Sequence, residues 1–129
     1  MPPEFFLDRG LGRGVAEGLA DHGWTVHRAT QHFPNDAQDV ADQEWLSYGL
    51  ERGWIPLCKD GRIKGRPTER APLELYRAVL FYLDNQRLLR VDMISRFHRA
   101  QEQIYRAVSR GGPAAYAVNA DGLRRTWPS

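Results

Sequence analysis

The stretch that decides the fold is Glu4-Phe5-Phe6-Leu7-Asp8-Arg9-Gly10-Leu11-Gly12-Arg13-Gly14-Val15. Its first four residues read as a strand, and the unbroken apolar run Phe5-Phe6-Leu7 is what a strand buried on both faces requires. An aspartate follows at once. Gly10, Gly12 and Gly14 then make a tight turn into a helix from about Leu11 to Asp21, with Leu11, Val15 and Leu19 on its inner face. His22-Gly23 closes that helix.

The same alternation continues along the chain. Trp24 to Arg28 is β-branched and alternating, hence a second strand. Residues 30–40 form a polar loop long enough to suggest a role. A helix is predicted over Asp42 to Arg52, with Trp45, Leu46, Tyr48 and Leu50 as anchors and Gly53 as its stop. Trp54 to Lys59 is a third strand. A polar, basic segment follows to Arg70, then a short helix around Pro72 to Tyr76 and a fourth strand at Ala78 to Leu83. Asp92 is the expected cap of one long helix reaching about Arg110, with Met93, Phe97, Ala100, Ile104 and Val108 as its apolar stripe. Arg96, Arg99, Arg106 and Arg110 mark another face of that helix. Ala114 to Val118 is a fifth strand, and Leu123 to Trp127 a closing turn. Alternating β and α elements imply an α/β fold with a mainly parallel sheet of about five strands and helices on both sides.

At 129 residues, residues 1–129 read as a single domain. The hydrophobic fraction of 42% with 26% charged residues is that of an ordinary globular protein and excludes a disordered chain. No apolar stretch nears the ~20 residues of a membrane helix. The N-terminus lacks the features of a signal peptide. With Cys58 as the one cysteine, no internal disulfide forms, and a cytoplasmic location without membrane partners is expected. The apolar setting of Cys58 makes it a buried thiol rather than a nucleophile. Residues 1–60 hold 5 Lys/Arg and 10 Asp/Glu, 5 − 10 = −5; residues 61–129 hold 13 and 6, 13 − 6 = +7. That asymmetry suits a metal site beside an anion-binding surface, unless folding intermixes the charges.

Two apolar runs end in aspartate, at Asp8 and at Asp60. If their strands are neighbours, both carboxylates come within reach of one divalent cation. The acidic cluster Asp42-Gln43-Glu44-Trp45 opens the second helix. Oxygen ligands of this kind suit Mg²⁺ or Mn²⁺, which retain waters and need few carboxylates. Such a site cleaves phosphodiesters by activating water and neutralising charge on the phosphate. The spacings alone have no signature: Asp42 is also a plausible helix cap, and Asp60-Gly61 a common turn pair. Arg9 follows the first aspartate, and Arg62, Lys64, Arg66 and Arg70 follow Asp60. The arginine fork donates paired hydrogen bonds to phosphate. His22, His27, His32 and His98 lack zinc-type spacing. Only His32, in the polar loop, stands apart from them.

The order and spacing of several segments resemble the PIN-like ribonucleases, in the branch of VapC-type toxins of bacterial toxin–antitoxin pairs. The segments are Phe5-Phe6-Leu7-Asp8-Arg9 with its glycine-rich turn, His32-Phe33-Pro34-Asn35-Asp36, Asp42-Gln43-Glu44-Trp45-Leu46, Gly53-Trp54 through Lys59-Asp60, Arg62-Ile63, and Pro67-Thr68-Glu69-Arg70. Gly112-Pro113-Ala114-Ala115-Tyr116 and Leu123-Arg124-Arg125-Thr126-Trp127-Pro128 also fit. The resemblance implies a PIN-like three-layer fold and a Mg²⁺- or Mn²⁺-dependent endoribonuclease. It implies metal and catalytic roles for Asp8, Asp42 and Asp60, with Glu44 as a candidate fourth catalytic member; the position of Arg9, Arg62, Lys64 and Arg70 beside those aspartates makes them the candidate RNA contacts. RNA, a cognate antitoxin and a second copy of the chain in a homodimer are the implied partners. The chain departs from the family at Gly10, where relatives carry a longer polar residue, and at Cys58, where a hydroxyl side chain is common. The rival reading is a degenerate PIN-like domain that binds RNA or a protein without cleaving. A dinucleotide-binding turn at Gly10 to Gly14 fails because Val15 stands where glycine or alanine is needed. A phosphoacceptor receiver lacks its paired acidic residues after the first strand.

Overall fold

Phe5, Phe6 and Leu7 are all buried, so the first strand lies between two packed layers. The structure is a computed structural model, and it describes residues 2–59, 61 and 67–128, with Glu69 by its backbone alone. The elements are β1 (Glu4–Leu7), α1 (Gly12–Asp21), β2 (Thr25–Arg28), α2 (Asp42–Glu51), β3 (Ile55–Cys58), α3 (Pro67–Tyr76), β4 (Val79–Leu83), α4 (Arg90–Arg99), α5 (Gln101–Arg110), β5 (Ala114–Asn119) and β6 (Gly122–Trp127). The strands form one sheet in the order β2-β1-β3-β4-β5-β6. The first four pairings are parallel and β5–β6 is antiparallel.

Strand alternation divides the core. Phe5, Leu7, Leu57, Phe81, Leu83, Tyr116 and Val118 face α1, α4 and α5, where Val15, Leu19, Met93, Phe97 and Ile104 meet them. Phe6, Leu80, Tyr82, Ala115 and Ala117 face α2 and α3, where Trp45, Leu46, Leu50 and Leu73 meet them. The three-layer α/β architecture expected from the sequence is therefore present. Among the described residues, no helix is long and apolar enough to cross a membrane.

Three expectations need correction. The sheet has six strands rather than about five, because the expected closing turn at Leu123 to Trp127 is the edge strand β6. Its exposed Arg124 and Arg125 hide the strand signal, although charge on an edge is what keeps such strands from pairing with other chains. The expected long helix is two helices that break at Ala100, whose φ of −91° and ψ of 5° leave the helical region. The apolar stripe runs through the break, and alanine is a strong helix former, so nothing local marks it. Asp92 does not cap α4. Leu89 occupies that position, and Asp92 lies in the first turn, where a carboxylate still favours the helix dipole. In addition, α3 begins at Pro67, and Pro72 lies inside it. A proline normally reads as a helix start, which explains the shorter expected span.

The contact between α1 and α4 is close because Gly14 and Gly18 present no side chain. A Cβ at Gly14 would overlap the Arg90 side chain, and one at Gly18 would overlap Ile94. Overpacking of this kind costs about 1–3 kcal/mol. Gly18→Val is therefore expected to lower stability in urea unfolding by that amount. Adding Ile94→Ala should recover part of the loss, which would tie the effect to this contact.

Candidate active site

The chain runs from β1 outward to β2, then crosses back to β3 on the other side of β1. The strand order reverses there, and in open α/β sheets the crevice at the carboxyl ends of such strands is where ligands bind. Asp8 is the first residue after β1. Its backbone N–H donates to the Leu57 carbonyl of β3 at 3.0 Å. Its carboxylate accepts from the Leu11 N–H at 3.1 Å and from the Lys59 N–H at 3.3 Å. One oxygen thus caps the short 3-10 turn Arg9–Leu11, and the other ties β1 to the end of β3. The strands β1 and β3 are parallel neighbours, as the cation hypothesis requires, while Asp60 itself lies outside the described residues.

Burial dominates the chemistry of Asp8. It raises the carboxyl pKa from 3.8 to about 6, against the opposing effect of backbone N–H groups from Lys59, Gly10 and Leu11, while the charge of Asp42 raises it further. Asp42 is the first residue of α2. Ala41 occupies the cap position, which removes the simple capping role for Asp42. Its carboxylate accepts instead from the Trp45 indole N–H at 2.9 Å. Asp8, Arg9, Ala37, Asp42 and Trp45 line one cavity of about 320 Å³. A Cβ on Gly10, in the same wall, would come within 3.1 Å of the Asp8 carboxylate. The missing side chain there leaves Asp8 room.

An aromatic cluster supports the loop that closes this cavity. Phe6 packs against Trp45, Tyr48, Trp54 and His32. The His32 Nδ1 pairs with the Tyr48 hydroxyl at 3.0 Å, and burial followed by the nearby His27 and Arg52 lowers its pKa. His32 is therefore a strut for the loop. Beyond it, Asn35, Asp36 and Ala37 have φ of 56°, 52° and 62° in succession. Three consecutive non-glycine residues in the left-handed region store strain, which concentrates at functional sites.

Among the residues expected from the sequence, Asp8, Asp42 and Arg9 come together. Glu44 is exposed on the first turn of α2 and does not line the cavity. Arg70 is half-buried on α3, its guanidinium carbon 5.7 Å from the centre of the Trp127 ring, and lines neither cavity at Asp8. Asp60, Arg62 and Lys64 lie outside the described residues. Among the described residues, no group of three or more His, Cys, Asp or Glu side chains is placed to hold a metal. Three residues not singled out as site members, Arg13, Arg28 and Asp36, join Asp8 and Arg9 around a second cavity. The available signal was Arg28 itself, a charged residue ending a strand beside β1.

The family model described as "PIN like domain" matches residues 3–85, from β1 through β4. The chain belongs to the PIN-like domain family. A relative in Mycobacterium tuberculosis (strain ATCC 25618 / H37Rv), named "Putative ribonuclease VapC45", is 30% identical over 122 residues, covering 93% of this chain and 88% of the relative. No solved structure matches. Asp8, Asp42 and both cavities fall within the PIN-like match.

The raised pKa of Asp8 has a definite sign. Its neutral form is favoured by folding, so the stability it contributes is complete below pH 3.8 and is lost as pH rises through about 6. Asparagine at this position does not titrate. In metal-free protein, thermal unfolding of Asp8→Asn relative to the parent should shift in the mutant's favour by about 1–3 kcal/mol between pH 4 and pH 7. A difference independent of pH would contradict the burial argument.

Proposed function

We propose that this chain is a metal-dependent endoribonuclease and the toxin of a toxin–antitoxin pair, acting as one PIN-like unit over residues 1–129. The observation that carries this reading is the pairing of Asp8 and Asp42 on one cavity at the strand switch point. The relative's name supports ribonuclease chemistry. Proposed partners are an RNA substrate and a cognate antitoxin protein, in the cytoplasm.

The donor chemistry fits a hard divalent cation. Asp8 and Asp42 share a cavity in which burial and the charge of Asp42 disfavour the charged form of Asp8, a penalty that a cation removes. Asp8 and Asp42 would hold Mg²⁺ or Mn²⁺, with Asp60 as the third ligand. A bound cation supplies positive charge to the scissile phosphate and lowers the pKa of water. Asp42 has one oxygen committed to the Trp45 indole and keeps the other for a ligand or a water proton. The backbone N–H groups on Asp8 hold its carboxylate in one orientation, so little reorganisation accompanies binding. Arg9, beside both carboxylates, donates to the RNA backbone, and Arg62 and Lys64 extend that contact. Glu44 would act only from outside the cavity.

RNA cleavage by the purified protein should require Mg²⁺ or Mn²⁺ and stop with EDTA. Asp8→Asn, Asp42→Asn and Asp60→Asn should each reduce kcat by at least about 100-fold. Glu44→Gln should stay within a few fold of the parent. Protons compete with the cation at Asp8, so cation affinity should weaken as pH falls below about 6. Failure of a folded, metal-supplied protein to cleave any RNA would overturn the enzyme reading in favour of binding alone.

A further inference from the structure

The carboxylate cavity does not end at Asp8. Arg9 also borders a second concavity of about 190 Å³, lined by Asp8, Arg9, Arg13, Arg28, Thr30 and Asp36 among others. Asp8, Arg9 and Ala29 border both spaces. The strained turn also serves both, with Ala37 facing the first cavity and Asp36 the second. Arg28 ends β2 in register with Leu7, so the sheet sets it beside the start of the catalytic turn. Arg13 lies in the first turn of α1 and pairs with Glu17 at 2.7 Å. Among the described residues, Arg9 and Arg28 have no ion-pair partner.

The charge balance favours an anion. Three arginines and two aspartates around the second cavity give 3 − 2 = +1. A phosphodiester carries a single negative charge. Guanidinium forks match the paired oxygens of a phosphodiester. We propose that this second cavity is the subsite for the phosphodiester next to the scissile one, gripped by Arg28 and Arg13. The RNA strand then runs from the carboxylates, over Arg9, to the end of β2. This inference rests on the nuclease reading and adds to it two recognition residues and the path of the strand.

The test is the binding of a labelled single-stranded RNA, followed by fluorescence anisotropy across a salt series in Mg²⁺. Proteins carrying Asp8→Asn to prevent cleavage are compared with and without Arg28→Gln or Arg13→Gln. Each phosphate contact on a single strand contributes about 0.7 to the slope of log affinity against log salt. Arg28→Gln should lower affinity roughly tenfold and reduce the slope by about that amount. Arg13→Gln should do the same more weakly, since Glu17 shares its charge. Arg124→Gln, on the far edge strand, is expected to leave the slope unchanged. In the cleaving protein, Arg28→Gln should raise KM and leave kcat within about twofold of the parent. An unchanged slope and KM in Arg28→Gln would overturn the subsite, while cleavage by the parent would leave the nuclease reading intact. An altered slope without any cleavage by the parent would keep Arg28 as an RNA-phosphate contact but reject the nuclease, and with it a place next to a scissile phosphodiester. Displacement of RNA by millimolar inorganic phosphate, lost in Arg28→Gln, would identify a free-anion site and overturn the phosphodiester assignment.

Discussion

Asp8 is bonded through its backbone to β3 and through its side chain to the residue that follows β3, at the point where two parallel strands end together. The Leu57 carbonyl takes its N–H and the Lys59 N–H reaches its carboxylate. The same carboxylate starts the turn into α1 through Leu11. One residue thus joins strand pairing, helix entry and the floor of the cleft. Its burial makes its charge unfavourable, and four neighbouring features, three backbone N–H groups and Asp42, set how unfavourable. A carboxylate so placed is structurally satisfied yet electrostatically incomplete, which is the state that favours a cation.

The walls of the cleft are supported from behind. Phe6 alternates with the other β1 side chains to face α2, and its ring touches Trp45, Tyr48, Trp54 and His32. These rings link the first strand, the loop after β2 and the second helix into one unit. Trp45 belongs to that unit and also donates to Asp42. The packing that stabilises the sheet therefore also orients the second carboxylate. The left-handed run at 35–37 is held between this cluster and the cavities it borders.

The distribution of charge follows topology rather than position along the chain. The basic second half suggests an anion-binding surface, yet Arg96 pairs with Asp84 at 2.7 Å and Arg106 with Glu102 at 3.5 Å. Among the described residues, the arginines around Asp8 are Arg9, Arg13 and Arg28, all from the acidic first half. Parallel strands carry their C-terminal residues to one edge whatever their separation in sequence. Among the described residues, overall charge asymmetry therefore does not indicate which cations face the site.

By itself, the sequence determined the alternation of strands and helices, both faces of the core and the acidic strand ends. Each rests on a local signal, namely an apolar run, a helical stripe or a glycine stop such as Gly23 or Gly53. The α/β architecture was legible in this way, as was the placing of Asp8 directly after the first strand, while the family came from the resemblance of several segments in order. The break at Ala100 and the edge strand β6 were not, because an unbroken stripe and two exposed arginines erase the local signal. Tertiary structure alone decided that β1 lies between β2 and β3, which brings Asp42 to Asp8 and Arg28 to the end of Leu7. It also decided the change in the proton affinity of Asp8, since burial depends on residues distant in sequence. Local pattern records which face of an element avoids water. Only the order of strands in the sheet fixes which charged ends meet.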